Sequence, residues 1–331
     1  MKESIDINDF KDFFSEDDLL LSFNDYLKKF RKVSCFNPIS VTFDDINGVE
    51  HTIPVPCGKC PHCLSRRRSD WVIRLKNEFK TAKSAWFITL TYDDCNLPVS
   101  SLVDSSFISR RSEYIDNSAY FPVVYRRDVQ LFLKRLRFDI RPFKIRYFLV
   151  SEYGPTSFRP HYHLLLFDFP KELDILSHIT NAWNSGFVSV SDVNEARILY
   201  TAAYMFGKTE LPDYLKNHPP FVSCSKGIGL SYLEDSDNYF FHKNNFALYY
   251  QDGKYKKSLP RYYKDKIFTA EEKHEFLIDY LWKIEEDKSF NDLLAISKPK
   301  EFCYLVDLKE ETKAQFERNF RRKFKNSKKK L

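Results

Sequence analysis

The chain has 331 residues, enough to bury a sizeable core and to hold two domains, with 43% hydrophobic and 17% aromatic residues and a net charge of +6. Arg318, Arg321, Arg322, Lys323, Lys325, Lys328, Lys329 and Lys330 supply eight positives, so taking them from +6 leaves −2, and any nucleic-acid groove in the body must gather its cations locally. No charged leader precedes an apolar run, and no window approaches ~18 consecutive apolar residues, which excludes a secretory signal and a membrane span and predicts an intracellular protein. The aromatic share fits either base-stacking platforms or a coding bias toward Phe, Tyr, Asn and Lys.

Residues 1–32 alternate Asp and Glu with Phe, Leu and Ile, and Asp17 to Phe30 can form an amphipathic helix for packing or partner contact. Residues 33–70 read as a metal knuckle. Cys57, Cys60 and Cys63 follow a C-x2-C-x2-C spacing, and Cys35 lies 22 residues before Cys57 across a hairpin made by Val41–Phe43 and Glu50–Val55. Four thiolates close a tetrahedral Zn2+ site, and closed sites of this kind are structural. His62 is the substitute ligand if Cys35 is out of reach, and an iron-sulfur cluster is the competing occupant. Seven cysteines, four in metal spacing, argue against a secreted disulfide framework. A rigid knuckle would present Arg66, Arg67 and Arg68 to phosphate.

Ser69 to Ala82 continues as a helix with Trp71, Leu75 and Phe79 on one face, leading into a buried strand Trp86–Tyr92 with Thr89 and Thr91 on one side. The Ser-rich stretch 96–121 reads as a mobile insertion or loop. Arg127 to Phe138 follows as a basic amphipathic helix, with Val129, Phe132, Leu133 and Leu136 inward.

Tyr147–Glu152 is an apolar strand ending in a carboxylate, and Gly154-Pro155 and Ser157 punctuate the turn into Arg159-Pro160-His161-Tyr162-His163-Leu164. Side chains alternate along a strand, so His161 and His163 share a face and Tyr162 takes the other. If the strands pair as a hairpin, Glu152 lies near His161. Two imidazoles and a carboxylate leave open positions on a divalent ion that must also touch substrate oxygen. The plainer reading of a lone His-x-His is two satisfied imidazoles in a strand.

Lys171–Asn184 reads as a helix and Phe187–Val190 as a strand. Glu195 to Lys208 is then a helix that Asn194 or Asp192 can cap and Gly207 can end. Tyr200 and Tyr204, at i and i+4, stack on one side, with Lys208 near the helix end. The bland alternative is an aromatic stripe in the core. Residues 209–255 are irregular. Tyr262-Tyr263 suits packing or DNA contact, because adjacent residues diverge. Thr269–Glu286 and Lys309–Lys325 are helical by pattern, so 269–331 forms a helical C-terminal region with a basic tail.

Taken together, the Phe-Ile-Thr-Leu-Thr-Tyr strand, the His-hydrophobe-His strand with its upstream Glu, and Tyr-x-x-x-Tyr on a helix resemble the three motifs of the HUH endonucleases, the rolling-circle replication initiators. The resemblance is closest to initiators of small single-stranded DNA phages of the microvirus and gokushovirus type. It is carried further by Val55–Cys63, Ser151–Pro155, Trp183–Val188, Lys226–Leu230 and Leu259–Tyr263, and covers roughly residues 33–268. One departure is that the family usually carries a lysine three residues after the second tyrosine, where Gly207 stands here and Lys208 follows.

The resemblance implies an α+β fold, an HUH endonuclease-like antiparallel sheet flanked by helices over 71–268. It implies Mg2+ or Mn2+ on His161, His163 and Glu152, nucleophilic Tyr200 or Tyr204 assisted by Lys208, and DNA contacts from Arg66, Arg67, Arg68 and Arg159. The expected activity is nicking and religation of single-stranded or origin DNA through a 5′-phosphotyrosine link, in the cytoplasm of a bacterial host. No GxxxxGK[ST] motif is present, so host helicase and polymerase become expected partners. A relaxase or transposase, a noncatalytic zinc-stabilised DNA-binding protein and a zinc hydrolase are the competing readings.

Overall fold

The structure, a computed structural model, describes residues 35–104, 106, 108–110, 120–205, 211–297 and 299–327. The expected Asp17–Phe30 helix, Lys208 and the final lysines fall outside the described residues. In chain order the elements are β1 (Ile39–Asp44), β2 (Glu50–Val55), α1 (Pro61–Thr81), β3 (Ala85–Thr91), β4 (Pro98–Ser101), β5 (Ile108–Arg110), β6 (Tyr120–Pro122), α2 (Arg126–Asp139), β7 (Arg146–Tyr153), β8 (Pro160–Phe167), α3 (Ile175–Trp183), β9 (Val188–Asp192) and α4 (Glu195–Tyr204). Then come β10 (Val222–Cys224), α5 (Ser231–Glu234), α6 (Ser236–Asn244), β11 (Tyr249–Asp252), β12 (Tyr255–Ser258), α7 (Arg261–Ile267), α8 (Ala270–Ser297) and α9 (Pro299–Ser327). The chain divides into two compact units, residues 68–267 and residues 1–67 with 268–331.

The 68–267 unit is built on a five-stranded antiparallel sheet in the order β10-β7-β8-β3-β9. Strand alternation sorts its residues into two cores. Ile88, Leu90, Leu149, Tyr162, Leu164 and Leu166 pack with Phe132, Leu133 and Leu136 of α2 and Ile179 and Trp183 of α3. Phe87, Phe148, Val150, Leu165 and Phe167 face the other way, onto Val72 and Leu75 of α1 and Ile198 and Ala202 of α4. The fold is therefore α+β, with helices on both faces of an antiparallel sheet. Because parity decides the face, Thr89, Glu152, His161 and His163 lie on the α1/α4 side.

Several elements depart from the sequence expectation. The helix expected from Ser69 already starts at Pro61, where proline's fixed φ suits the first helical position, so the cysteine run feeds directly into it. The stretch 96–121 contains β4, β5 and β6, a small sheet in the order β5-β4-β6; strands of three or four Ser-rich residues leave no readable period. Arg110 anchors this sheet, donating 2.6 and 2.9 Å hydrogen bonds to the buried Asp128 carboxylate, which also accepts from Tyr92 Oη at 2.7 Å. Removing the guanidinium strands a buried charge. Arg110→Ala is expected to lower unfolding free energy by about 2–4 kcal/mol, read by urea denaturation, whereas a loss under about 0.5 kcal/mol would contradict the anchoring role.

From 209 to 255 the irregular pattern hides β10, which adds an edge to the main sheet, and the β11–β12 hairpin. Gly186 closes the sheet's other end. It adopts φ +149°, and a Cβ there would stand 2.3 Å from Thr91 O and Asp93 N, so only glycine lets Phe187 pair with Thr91.

In the second unit, β1 and β2 pair from Ile39↔Val55 to Asp44↔Glu50. Asp45 shapes their turn, its Oδ1 accepting the Asn47 and Val49 N–H groups at 2.8 and 2.9 Å while Gly48 supplies φ +76°. Helices α8 and α9 run 28 and 29 residues, longer at both places than the patterned windows, and Pro299 opens α9. Among the described residues no helix is long and apolar enough to cross a membrane.

Candidate active site

Two registers assemble the site. Pairing of β7 with β8 sets Glu152 opposite His161, and pairing of β3 with β8 sets Thr89 opposite His163 and Thr91 opposite His161. Glu152 Oε2 consequently lies 3.4 Å from His161 Nε2 and 3.3 Å from His163 Nε2, and the three candidate ligand atoms all fall within 4.8 Å of one another. The far ring nitrogens are held: His161 Nδ1 is 3.2 Å from the Arg159 carbonyl, and His163 Nδ1 is 3.2 Å from Thr89 Oγ1. An Nδ1–H donated outward leaves each Nε2 with a lone pair facing the carboxylate. Three converging electron-pair donors with fixed outer partners are the donor set of a divalent cation, and the residues present fit one.

The electrostatics favour the ligating forms. Burial opposes ionisation of Glu152, but hydrogen bonds and charge from His161 and His163 outweigh it and hold the carboxyl below its ordinary range. Burial pushes the His163 imidazole down, keeping it neutral near pH 7. For His163 the unfolded chain then takes up a proton before the folded one does, so stability rises with pH and is lost on acidification below about 6.5. Apo protein in EDTA should be measurably easier to unfold at pH 5 than at pH 7, and His163→Gln should flatten that slope; an unchanged slope would exclude His163 as its source.

Helix α4 brings the tyrosines to this cluster. Asn194, rather than Asp192, is its cap, accepting the Arg197 N–H at 2.9 Å. Ile198 and Ala202 are buried against the sheet, and Tyr200 and Tyr204 stack at 4.6 Å between ring centroids. Both rings reach His163, at 5.3 and 5.4 Å. Burial pushes both hydroxyls above the ordinary phenol range, and the Tyr204 hydroxyl bonding Tyr200 partly offsets this for Tyr200.

Some placements were not foreseen. Arg68, expected at phosphate, donates to the Leu199 carbonyl at 2.9 Å and steadies the tyrosine helix. Arg159 donates to Tyr92 O at 2.6 Å and Asp94 Oδ1 at 2.7 Å, fastening the start of β8 to the end of β3. Arg66 and Arg67 are exposed. The Thr89 contact with His163 was foreshadowed only by Thr89 sharing a face with Thr91. Losing such an outer partner typically costs 10–100-fold in metal affinity, so Thr89→Val should weaken Mn2+ binding by about that factor in titration calorimetry. Binding equal to the parent's would remove Thr89 from the account.

In the other unit, the Sγ atoms of Cys35, Cys57, Cys60 and Cys63 lie within 4.8 Å of one another, with Cys35 and Cys60 3.8 Å apart. Backbone N–H groups point at the sulfurs: Cys57 N to Cys35 Sγ at 3.2 Å, Cys60 N to Cys57 Sγ at 3.3 Å and Phe36 N to Cys60 Sγ at 3.4 Å. The N–H groups of Lys59 and Cys60 draw the Cys57 thiol down to about 6, while burial pushes Cys63 up to about 12. This set fits a soft cation. His62 is not part of it; its ring packs against Phe316, so Cys35 supplies the fourth donor.

Residues 85–209, from β3 to just past α4, match the model of a family described as replication-associated protein ORF2. Among curated proteins the chain is similar to Replication-associated protein ORF2 of Spiroplasma virus 4, 28% identical over 246 residues, covering 69% of this chain and 71% of that protein. It is also similar to Replication-associated protein ORF4 of Chlamydia phage 1, at 24% over 271 residues and 74% and 60% coverage. Replication-associated protein VP4 of Bdellovibrio phage phiMH2K matches at 25% over 273 residues, with 70% and 76% coverage. No solved structure matches significantly. The resemblance drawn from the three motifs is borne out, and the family with which this chain groups is that of the phage replication-associated proteins.

Proposed function

We propose that the protein is an HUH-type endonuclease that starts rolling-circle replication by nicking and resealing single-stranded or origin DNA. The observation that carries this reading is the approach of two tyrosine rings to within 5.3 and 5.4 Å of His163 in the Glu152–His161–His163 cluster. Mg2+ or Mn2+ held by those three residues supplies Lewis-acid polarisation of a nonbridging phosphate oxygen.

The chain's own residues do the rest. Strands β7 and β8 fix the carboxylate and imidazoles, so the scissile phosphate is oriented for in-line attack rather than sampled. The hydroxyl of Tyr200 or Tyr204 attacks phosphorus. A tyrosine O–P bond forms, the 3′ oxygen departs with a proton, and the products are a 5′-phosphotyrosine and a 3′-OH able to prime synthesis. Resealing is the reverse step and needs no ATP, because the link conserves the phosphodiester energy. With both hydroxyls on one helical face, the second can cut the regenerated junction while the first holds the 5′ end. The raised hydroxyls are poor nucleophiles by themselves, which is why the reading needs the adjacent cation-binding cluster.

The four-cysteine set is read as a structural Zn2+ site. Host helicase and polymerase are the proposed partners, and the bacterial cytoplasm the proposed place of action. Labelled single strands from the protein's own genome, incubated with Mn2+ or with EDTA and run on denaturing gels, test the reading. Metal-dependent nicks with a protein-linked 5′ fragment are expected; tight, salt-sensitive binding without nicks on any strand would favour a noncatalytic DNA-binding protein.

A further inference from the structure

Outside the Glu-His-His site, the 68–267 unit carries an aromatic and basic surface on α6, β11 and β12 that the proposed chemistry does not use. Residues 239–266 contain seven Lys or Arg against two Asp, in a chain whose body is otherwise acidic. The rings are turned outward: Tyr255 is 74% exposed, Phe240 55% and Phe246 46%. They are joined through Phe241, whose ring lies 6.0 Å from Tyr249, and Lys256 Nζ sits 4.2 Å over Tyr249. Phe246 adopts φ +48°, a conformation unusual for a bulky residue. The base beneath is rigid. Tyr250 Oη donates to Asn77 Oδ1 at 3.2 Å, and Tyr263 Oη to Gly229 O at 2.7 Å.

The surface also adjoins the tyrosine helix. Lys76 Nζ lies 3.1 Å from Glu195 in the first turn of α4 and 3.7 Å from Asp252 of β11. Glu195 to Tyr200 is five residues, about 7.5 Å along the helix.

We propose that this surface holds single-stranded DNA flanking the nick, its rings stacking unpaired bases and Lys254 and Lys256 meeting phosphates. The proposal rests on the nicking reading for where the strand comes from. Exposed rings interleaved with lysines on a net positive patch suit unpaired bases and phosphates together, since every base offers a π-face and stacking tolerates any sequence. Its role is retention, keeping the flanking strand bound between the two cleavages.

The test uses full-length protein carrying Tyr200→Phe and Tyr204→Phe, in EDTA, with a fluorescent oligothymidylate read by anisotropy, so cleavage cannot contribute. Adding Phe240→Leu and Tyr255→Leu should weaken binding by about tenfold or more, and Phe240→Trp with Tyr255→Trp should keep it near the parent's. Lys254→Gln with Lys256→Gln should flatten the salt dependence by roughly 1.4, two phosphates at ~0.7 each. These side chains are exposed, and unchanged thermal melting checks the fold. Parent-like binding by the leucine pair, no advantage of tryptophan over leucine, or a preference for duplex would overturn the proposal; in the first case the surface docks something else, such as an acidic protein. Adduct formation by unsubstituted protein is assayed separately, so loss of the nicking reading leaves the binding result legible.

Discussion

Substituting Tyr200 and Tyr204 together with Phe is expected to reduce covalent DNA adduct formation by on the order of 10^4-fold or more, the scale seen when a covalent nucleophile is removed. The fold should survive, because the change removes two hydroxyls from half-buried rings and leaves the packing against Phe87 and His163 in place. Each single variant should keep partial activity. Both rings meet the same imidazole at nearly equal centroid distances, so neither is geometrically excluded from attack. A quantitative gel assay with Mn2+ reads all three variants. Full activity in the double variant would move the nucleophile elsewhere. Complete loss in just one single variant would replace the alternating scheme with a single working tyrosine.

The second large effect concerns the four-cysteine set. Structural zinc contributes apparent free energies of about 10–16 kcal/mol in small zinc-dependent folds, so losing it decides whether such a unit folds. Cys60→Ser removes a donor that also receives the Phe36 N–H and sits 3.8 Å from Cys35. Purified parent protein should contain one zinc per chain by elemental analysis. The variant should lose it, with amides of residues 57–67 exchanging freely and protection retained in β7 and β8. Unchanged exchange in the knuckle after zinc removal would contradict a structural role.

Much of this arrangement is legible in the residues. His161 and His163 share a face because a strand alternates, and Glu152 falls opposite His161 because Gly154-Pro155 places a turn between two apolar runs. The i, i+4 spacing put Tyr200 and Tyr204 together, and C-x2-C-x2-C with Cys35 gave the sulfur set. What stayed hidden depends on contacts distant in sequence. Nothing local in Arg68 announces that it meets the Leu199 carbonyl 131 residues away, and a run of arginines reads by default as a phosphate site. The short β4, β5, β6 and β10 are too brief to show a period and exist through pairing with neighbours. Asn194 and Asp192 were equal candidates for the cap; only the backbone geometry chose Asn194.

The most direct measurement is mass spectrometry of the metal-dependent protein–DNA adduct after exhaustive nuclease and protease digestion. The account predicts a residual nucleotide joined through its 5′ phosphate to the peptide bearing Tyr200 or Tyr204, absent in EDTA. A nucleotide on any other residue, or nicked DNA with no protein-linked 5′ end, would contradict it.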